Sequence, residues 1–408
     1  MGEEHGDGDV IDVEAHRERI LSATPTLPSE SVSLHDALGR ALAAPVATRW
    51  PVPLFDNSAM DGYAVRAQDA VAGASLRVVA DIPAGSDADP PLAPGESARI
   101  MTGAPVPSDA DAIVPLEATD LGTQVREHAP ERVTVLAAPT PGAHVRRRGG
   151  DAPEGTEVVA PGADLDARAL STIASAGYDR VEAHRPARVA ILSTGSELIA
   201  PSATPRRGQI PESNSVLLSA AVREAGAHVP SVLTIPDDPD ALRAALGTID
   251  ADVLILSGGA SVGAFDVVKA VLSADGIRFD SVAMQPGKPQ GFGTRADGAL
   301  VFCLPGNPVS VAVSFEMFVR PALRRLAGFS VIDRRRLTLP ARQSWTTPPG
   351  RTQVLPVVID GGGVRPSAAG GSGSHLVASL ARAEAFAVIP ADVERVEEGD
   401  HVTVMMLS

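Results

Sequence analysis

The sequence predicts a multidomain α/β protein: a parallel α/β domain, a β-rich inserted domain ahead of it and a small C-terminal β domain behind it. Three textures of the chain carry this. Through residues 187–327, short apolar runs alternate with helix-competent stretches. Through residues 51–136, and again from 330 to 408, the apolar runs are short and broken by Pro, Gly and Asp.

Residues 11–23 read as a helix, with Ile11, Ala15, Ile20 and Leu21 near one face, and residues 34–42 as a second, short one. The inserted domain draws its strands from Leu76-Arg77-Val78-Val79, Ala98-Arg99-Ile100-Met101, Ala112-Ile113-Val114-Pro115 and Arg132-Val133-Thr134-Val135. A helix over 167–176 returns to pack beside the first segment, as in a domain interrupted by another. The α/β rhythm then runs strand 189–192, helix 215–225, strand 232–235, helix 239–246, strand 253–256, helix 265–273, strand 299–303 and helix 308–326. Such alternation implies right-handed crossovers, with ligands at the carboxyl ends of the strands. The C-terminal strands fall at 336–340, 353–358, 385–389 and 401–405. The domain boundaries expected are 10–50 plus 140–182, 51–139, 183–328 and 329–408.

A net charge of −15 over 408 residues argues against a nucleic-acid partner, which needs a basic footprint. A local basic cluster can still hold a small anion. The single cysteine, Cys303, excludes an intrachain disulfide and reads as a buried strand thiol. No apolar run approaches about 18 residues, so no membrane span is expected, and without a secretory pattern the expected compartment is the cytoplasm. No Cys/His cluster suggests zinc, and no Ser-His-Asp or Cys-His pattern suggests a covalent intermediate. Of 35 basic residues only Lys269 and Lys288 are lysines. In such a chain a lysine marks a place where a compact ammonium is wanted.

Four turns follow the α/β strands. They are Ser193-Thr194-Gly195-Ser196-Glu197, Pro236-Asp237-Asp238, Ser257-Gly258-Gly259-Ala260-Ser261-Val262-Gly263 with Asp266 beyond it, and Leu304-Pro305-Gly306-Asn307-Pro308. Their glycines let backbone N–H groups approach a phosphate. Asn307 suits an N-cap, Pro308 the first helical position, and the helix behind them aims its positive end at the turn. Asp237 and Asp238 have two readings, site carboxylate or cap of the next helix. Glu197, Asp237 and Asp266 beside phosphate-cradling glycines fit a Mg²⁺–phosphate site. Lys288, in Gln285-Pro286-Gly287-Lys288-Pro289, offers a positive charge from a rigid loop. In the inserted domain, Phe55-Asp56-Asn57-Ser58-Ala59-Met60-Asp61-Gly62-Tyr63 and Met101-Thr102-Gly103-Ala104-Pro105 are dense in turn-forming polar residues, and Arg146-Arg147-Arg148 is either a solvated run or an anion site.

Taken in order, these motifs together with Pro286-Gly287-Lys288-Pro289 and Leu304-Pro305-Gly306-Asn307-Pro308-Val309-Ser310 resemble the MoeA / gephyrin E-domain family of molybdopterin molybdenumtransferases. The resemblance runs from about residue 11 to the C-terminus. It implies an elongated four-domain homodimer with a molybdopterin-binding α/β domain and a barrel-like C-terminal domain. It also implies a reaction in which adenylylated molybdopterin and molybdate give molybdenum cofactor and AMP, with Mg²⁺ assisting, and other proteins of cofactor biosynthesis as further partners. On this resemblance the site lies between the α/β domain of one subunit and the inserted domain of the other. Asp61 and Thr102 come from the partner subunit. Glu197, Asp237 and Asp266 line the cleft and hold the metal. Thr194, Gly195, Gly258, Gly259, Ser261, Pro305, Gly306, Asn307 and Pro308 surround the substrate, Lys288 lies near its phosphates, and Arg351 and Ser374 match weaker C-terminal motifs. The chain departs from the family pattern at Ser281 and Gln285, where lysines are common, at Glu384, where Asn is usual, and at Gly150, where an acid is common. The rival functions are an adenylyltransferase using ATP and molybdopterin, and a non-enzymatic scaffold.

Overall fold

The computed structural model of the chain describes residues 10–123, 127–258, 265–368 and 377–408. Its centre is a seven-stranded sheet in the order Val10–Ile11, Arg278–Val282, Pro289–Thr294, Leu300–Leu304, Val253–Ser257, Arg188–Thr194 and His228–Ile235. The last four strands are mutually parallel. Pro289–Thr294 runs antiparallel to both its neighbours, so the sheet is mixed rather than wholly parallel. The two extra strands escape the apolar pattern because Ser281, Gln290, Gly291 and Gly293 interrupt it. The link between them, residues 283–288, is too short for a parallel crossover, so the chain turns back on itself.

Side chains of the central strands alternate between two cores, as the pleat requires. Val189, Ile191, Val253, Ile255, Leu300 and Phe302 face the helices Val13–Ser22 and Asn214–Glu224 and the helical run from Pro308 to Leu326. Ala190, Leu192, Leu254, Leu256, Val301 and Cys303 face the helices Pro239–Thr248 and Phe265–Ala274. Burial raises the Cys303 thiol pKa, so it stays protonated and acts as a small apolar side chain. The long run is α-helical over Pro308–Ser314, a π-helix over Phe315–Val319 and α-helical again over Arg320–Leu326. The first helix packs on that π turn, with the His16 ring edge-on to Phe318 at 4.7 Å.

At the opposite, amino end of the strands, Arg185 grips Asp252 with two hydrogen bonds of 2.7 Å, and the same carboxylate accepts the Arg188 N–H at 2.8 Å. Burial is the strongest single influence and would raise the Asp252 carboxyl, but the hydrogen bonds and charges of Arg185 and Arg188 together hold the group below the usual range.

The N-terminal segment pairs with the segment that follows the insertion. Ser29–Ser33 lies antiparallel to Arg180–His184, and Val46–Ala47 to Glu157–Val159. The helix expected over 34–42 is not formed. Gly39 has φ +75°, and the backbone N–H groups of Gly39 and Leu42 go to Leu165 O and Ala163 O in the segment that follows the insertion, out of reach of a local helix. The helix Ala167–Ser175 is present, capped by Asp166.

The inserted region is a five-stranded sheet in the order Ala112–Pro115, Gly62–Val65, Glu96–Ile100, Ser75–Ile82 and Arg132–Thr134. The C-terminal strands Arg336–Pro340, Thr352–Asp360, Gly363–Pro366, Ala385–Ile389 and His401–Met406 form one antiparallel sheet, which Met284–Gln285 extends in parallel pairing. A bridge from Ala341 to Val364 brings its two ends together into a barrel-like closure. Among the described residues no helix is long and apolar enough to cross a membrane.

Leu254 is fully buried at the middle of the central sheet. Leu254→Ala is expected to cost about 3 kcal/mol, read in denaturant melts of the transition that carries the α/β sheet. A loss under about 1 kcal/mol would contradict the packing described.

Candidate active site

Register decides where the four turns fall. Ser193 pairs with Thr234 on one side and Ser257 on the other, and Ser257 pairs with Leu304. Four strands therefore end level, and the turns that follow them share one edge. Contacts across that edge are backbone-close. A Cβ on Gly258 would lie 2.1 Å from Thr194 O, and one on Gly306 would lie 3.4 Å from Gly258 Cα. Gly258 also has φ +95°, so both space and conformation demand glycine there. Thr194, Gly195, Gly258, Pro305 and Gly306 are thus brought together as the sequence predicts.

The carboxylates sort themselves by their hydrogen bonds. Asp238 caps the next helix, accepting Asp240 N–H at 2.9 Å and Ala241 N–H at 2.7 Å. Asp237 instead faces the neighbouring turn, where its Oδ2 accepts both the N–H and the hydroxyl of Ser196 at 3.0 Å. Glu197 is exposed and folds back over Gly195, whose Cβ would sit 2.7 Å from Glu197 Oε2. Gly259, Ser261 and Ser374 lie outside the described residues, as does the Asp266 side chain.

These donors suit Mg²⁺. It binds through one or two carboxylates and takes its other ligands from phosphates and water. Asp237 Oδ1 has no hydrogen bond among the described residues, and Glu197 is on the neighbouring turn. Among the described residues no group of three His, Cys, Asp or Glu side chains is placed to hold a metal. Glu197 and Asp237 would therefore supply two ligands, and the phosphates of a bound substrate the rest.

Lys288 reaches the same edge by a different route. Gly291 pairs with Cys303, so the start of Pro289–Thr294 lies level with the end of Leu300–Leu304, and Lys288 sits just past it. The loop is fixed from below: Gln290 Nε2 donates to Gly287 O and to Ser314 Oγ, both at 2.7 Å. Gln285 and Arg351 meet where the Lys288 loop adjoins the C-terminal sheet, with Arg351 Nη1 donating to Gln285 Oε1 at 3.4 Å. Asn307 holds the N-cap backbone position and Pro308 the first turn, but the Asn307 side chain makes no capping bond, contrary to expectation. Asn214, which the sequence reading passed over, fixes this turn, its Nδ2 donating to Gly306 O at 2.7 Å. At the other noted departures, Glu384 Oε2 accepts the Ile359 N–H at 2.7 Å, and Gly150 packs closely over Arg147 O.

The inserted sheet carries the second group. Asp61 Oδ1 accepts the Thr102 N–H at 2.6 Å and its hydroxyl at 2.8 Å. The N–H bond, then the hydroxyl, holds the Asp61 carboxyl below the usual carboxylate range. Both line a cavity of about 480 Å³ with Tyr63, Arg99 and Glu117. Every lining residue belongs to the inserted segment, and no hydrogen bond or ion pair links Asp61 or Thr102 to the strand-end turns among the described residues. Of the arginine run, Arg147 pairs with Asp56 at 2.6 Å and the Arg148 N–H donates to the same carboxylate at 2.7 Å.

A mixed α/β sheet with a glycine-floored strand edge, acids on adjacent turns and a lysine on a fixed hairpin defines a phosphate-handling α/β protein. Comparison with known proteins then gives the family. Residues 11–177 match the MoeA N-terminal region (domain I and II), residues 190–325 the probable molybdopterin binding domain, and residues 338–407 the MoeA C-terminal region (domain IV). Molybdopterin molybdenumtransferase 2 of Mycobacterium tuberculosis is 41% identical over 97% of this chain and 99% of its own length. Molybdopterin molybdenumtransferase 1 of the same organism is 35% identical over the same shares. Two structures of the molybdopterin biosynthesis MoeA protein from Pyrococcus horikoshii superpose with TM-scores of 0.78 and 0.81 at 30% and 25% identity, over 98% of this chain and 100% of theirs. The chain belongs to the MoeA family of molybdopterin molybdenumtransferases, and is a transferase.

Gly258→Ala and Gly298→Ala share the conformational penalty, with φ +95° and +90°, but nothing lies within 4 Å of Gly298. Gly258→Ala is expected to raise substrate KM at least about tenfold, and Gly298→Ala to cost only about 1 kcal/mol of stability with KM unchanged. Equal effects on KM would contradict the assigned crowding. Thr102→Val removes one of the two donors that favour ionised Asp61. A depressed carboxyl stays ionised until pH falls below its ordinary range, so in the variant the acid limb of the pH–rate profile moves to higher pH. An unmoved limb would show that Asp61 ionisation does not govern it.

Proposed function

We propose that this chain inserts molybdenum from molybdate into adenylylated molybdopterin and releases AMP. The observation that carries the reading is the level strand edge, where Gly258 and Gly306 let the backbones of adjacent turns pack closely together and Lys288 adds positive charge. In this reading Thr194, Gly195, Gly258, Pro305 and Gly306 form the floor under the phosphates. The first turn at Pro308 directs its positive end at them. Glu197 and Asp237, with Asp266 as a third acid of the same site, would hold Mg²⁺, which would supply polarisation of the phosphoanhydride. Lys288 stabilises the negative charge that develops as the anhydride bond to AMP breaks. The new bond to phosphorus comes from an oxygen of molybdate or of water. Arg351, held by Gln285, is the cation for molybdate. Gln285 and Ser281 leave fewer positive charges here than the lysines usual at those places, so Lys288 and Arg351 carry more of the anion binding.

The two site groups are joined between subunits of a homodimer in this proposal. Asp61 and Thr102 of one copy close over the strand edge of the other, which agrees with the absence, among the described residues, of a hydrogen bond or ion pair from either to that edge within one chain. The domain division proposed is 10–50 with 140–182, 51–139, 183–328 and 329–408.

The test is a turnover assay with adenylylated molybdopterin. AMP release that requires molybdate supports the reading, whereas consumption of ATP with molybdopterin would replace it with the adenylyltransferase. Asp61→Asn and Glu197→Gln are each expected to lower kcat at least about a hundredfold. Full cofactor synthesis in cells by both variants would favour a scaffold role instead.

A further inference from the structure

The level edge needs something beneath it. Turns that must hold phosphate within a fraction of an ångström are floppy unless their own supports are fixed. The support comes from a buried acid on a segment that the phosphate site does not otherwise use. Glu212 is 7% exposed, and among the described residues no cation pairs with it. Its Oε1 accepts the Ser193 hydroxyl at 3.0 Å and the Ser215 N–H at 2.8 Å, and its Oε2 accepts the Ser215 hydroxyl. Ser193 Oγ lies 3.3 Å from Ser257 Oγ. A hydroxyl has one hydrogen, and that of Ser193 is directed at the carboxylate, so Ser257 is the donor in that pair. The chain of bonds runs Ser257 to Ser193 to Glu212.

Ser193 and Ser257 are the last side-by-side residues before the Thr194-Gly195 and Gly258 turns. The strand that precedes Glu212, Ile210–Pro211, pairs in parallel with Leu198–Ile199, and the Ile210 N–H donates to Glu197 O at 3.0 Å. Two residues on, Asn214 holds Gly306 O. One short segment therefore touches the turns after two strands directly, and reaches the third through the Ser193–Ser257 pair.

We propose that Glu212 is a positioning residue for the phosphate floor, tying the Thr194-Gly195 and Gly258 turns together through Ser193 and Ser257. This rests on reading the strand edge as the phosphate site. Removing the carboxylate leaves three donors buried without an acceptor, and the turns then relax apart. A glutamine keeps an acceptor for Ser193 and the Ser215 N–H, and its amide N–H can donate to the Ser215 hydroxyl.

The experiment compares wild type, Glu212→Ala and Glu212→Gln in the full-length protein, with thermal melting, the Kd of adenylylated molybdopterin without molybdate, and KM and kcat with it. Glu212→Ala is expected to raise Kd and KM about tenfold or more while kcat falls less than about threefold, and Glu212→Gln to stay within about threefold of wild type. A folded Glu212→Ala with a lower melting temperature and wild-type Kd and KM would make the residue merely structural and overturn the proposal. If Glu212→Ala does not fold, Ser193→Ala carries the test, since it removes the bonds of Ser193 to Glu212 and Ser257 and leaves those between Glu212 and Ser215. A Kd raised about threefold or more supports the proposal, and an unchanged Kd overturns it. A wild type that binds the adenylylated pterin but releases no AMP removes the proposed reaction and leaves the Glu212 comparison standing. A wild type that does not bind it removes both.

Discussion

Parallel pairing with no stagger at the strand ends is the constraint on which the rest depends. Because Ser193, Thr234, Ser257 and Leu304 lie level, four turns of unrelated sequence emerge along one line. A slip of one residue in any of these strands would exchange the two cores, moving Leu254 and Leu256 to the face of Val253 and Ile255. The helices on the two faces differ, so the packing enforces the register, and the register builds the edge. Hydrophobic burial thus sets the geometry of a polar edge where backbone groups of several turns come together.

An acidic chain that handles an anion faces a conflict of sign. The structure resolves it locally. Asp61 and Asp237 are engaged by N–H and hydroxyl donors on neighbouring turns, Asp56 is neutralised by Arg147, and Asp238 is spent on a helix end. In the proposed site the groups left to attract a phosphate are backbone N–H, Lys288 and Arg351, while exposed Glu197 would need a cation. Scarcity of lysine along the chain makes Lys288 conspicuous, and the hairpin that carries it is pinned to the long helix by Gln290 and Ser314.

Much of this was legible in the amino-acid order. Continuous apolar runs such as Val253-Leu254-Ile255-Leu256 suit strands buried on both faces, and the turns after them fall along one strand edge, where the sequence predicts a site. Asp61 with Thr102 was visible as two dense turns, and the structure joins them by hydrogen bonds. Other features were hidden for physical reasons. The strands Arg278–Val282 and Pro289–Thr294 contain polar residues and glycines, because their neighbours crowd them: a Cβ on Gly291 would meet Cys303 Cβ at 2.7 Å. The 34–42 segment has helix-forming composition, yet the N–H groups of Gly39 and Leu42 find partners over a hundred residues away, at Leu165 and Ala163. Glu212 sits in Pro211-Glu212-Ser213-Asn214-Ser215, which by itself reads as an ordinary helix start. Only the fold shows that Ser193 and Ser257 hang from it.

The outermost strand of the central sheet, His228–Ile235, contains a proline. Pro230 has no N–H to offer, and the pairing shifts register beside it, between Arg188 and Ala190. An intruding strand from another molecule would meet a local bend where it needs a straight rail. This border of the sheet is therefore a poor template for growth into ribbons, a safeguard against aggregation for a chain that exposes Val232 on that same border.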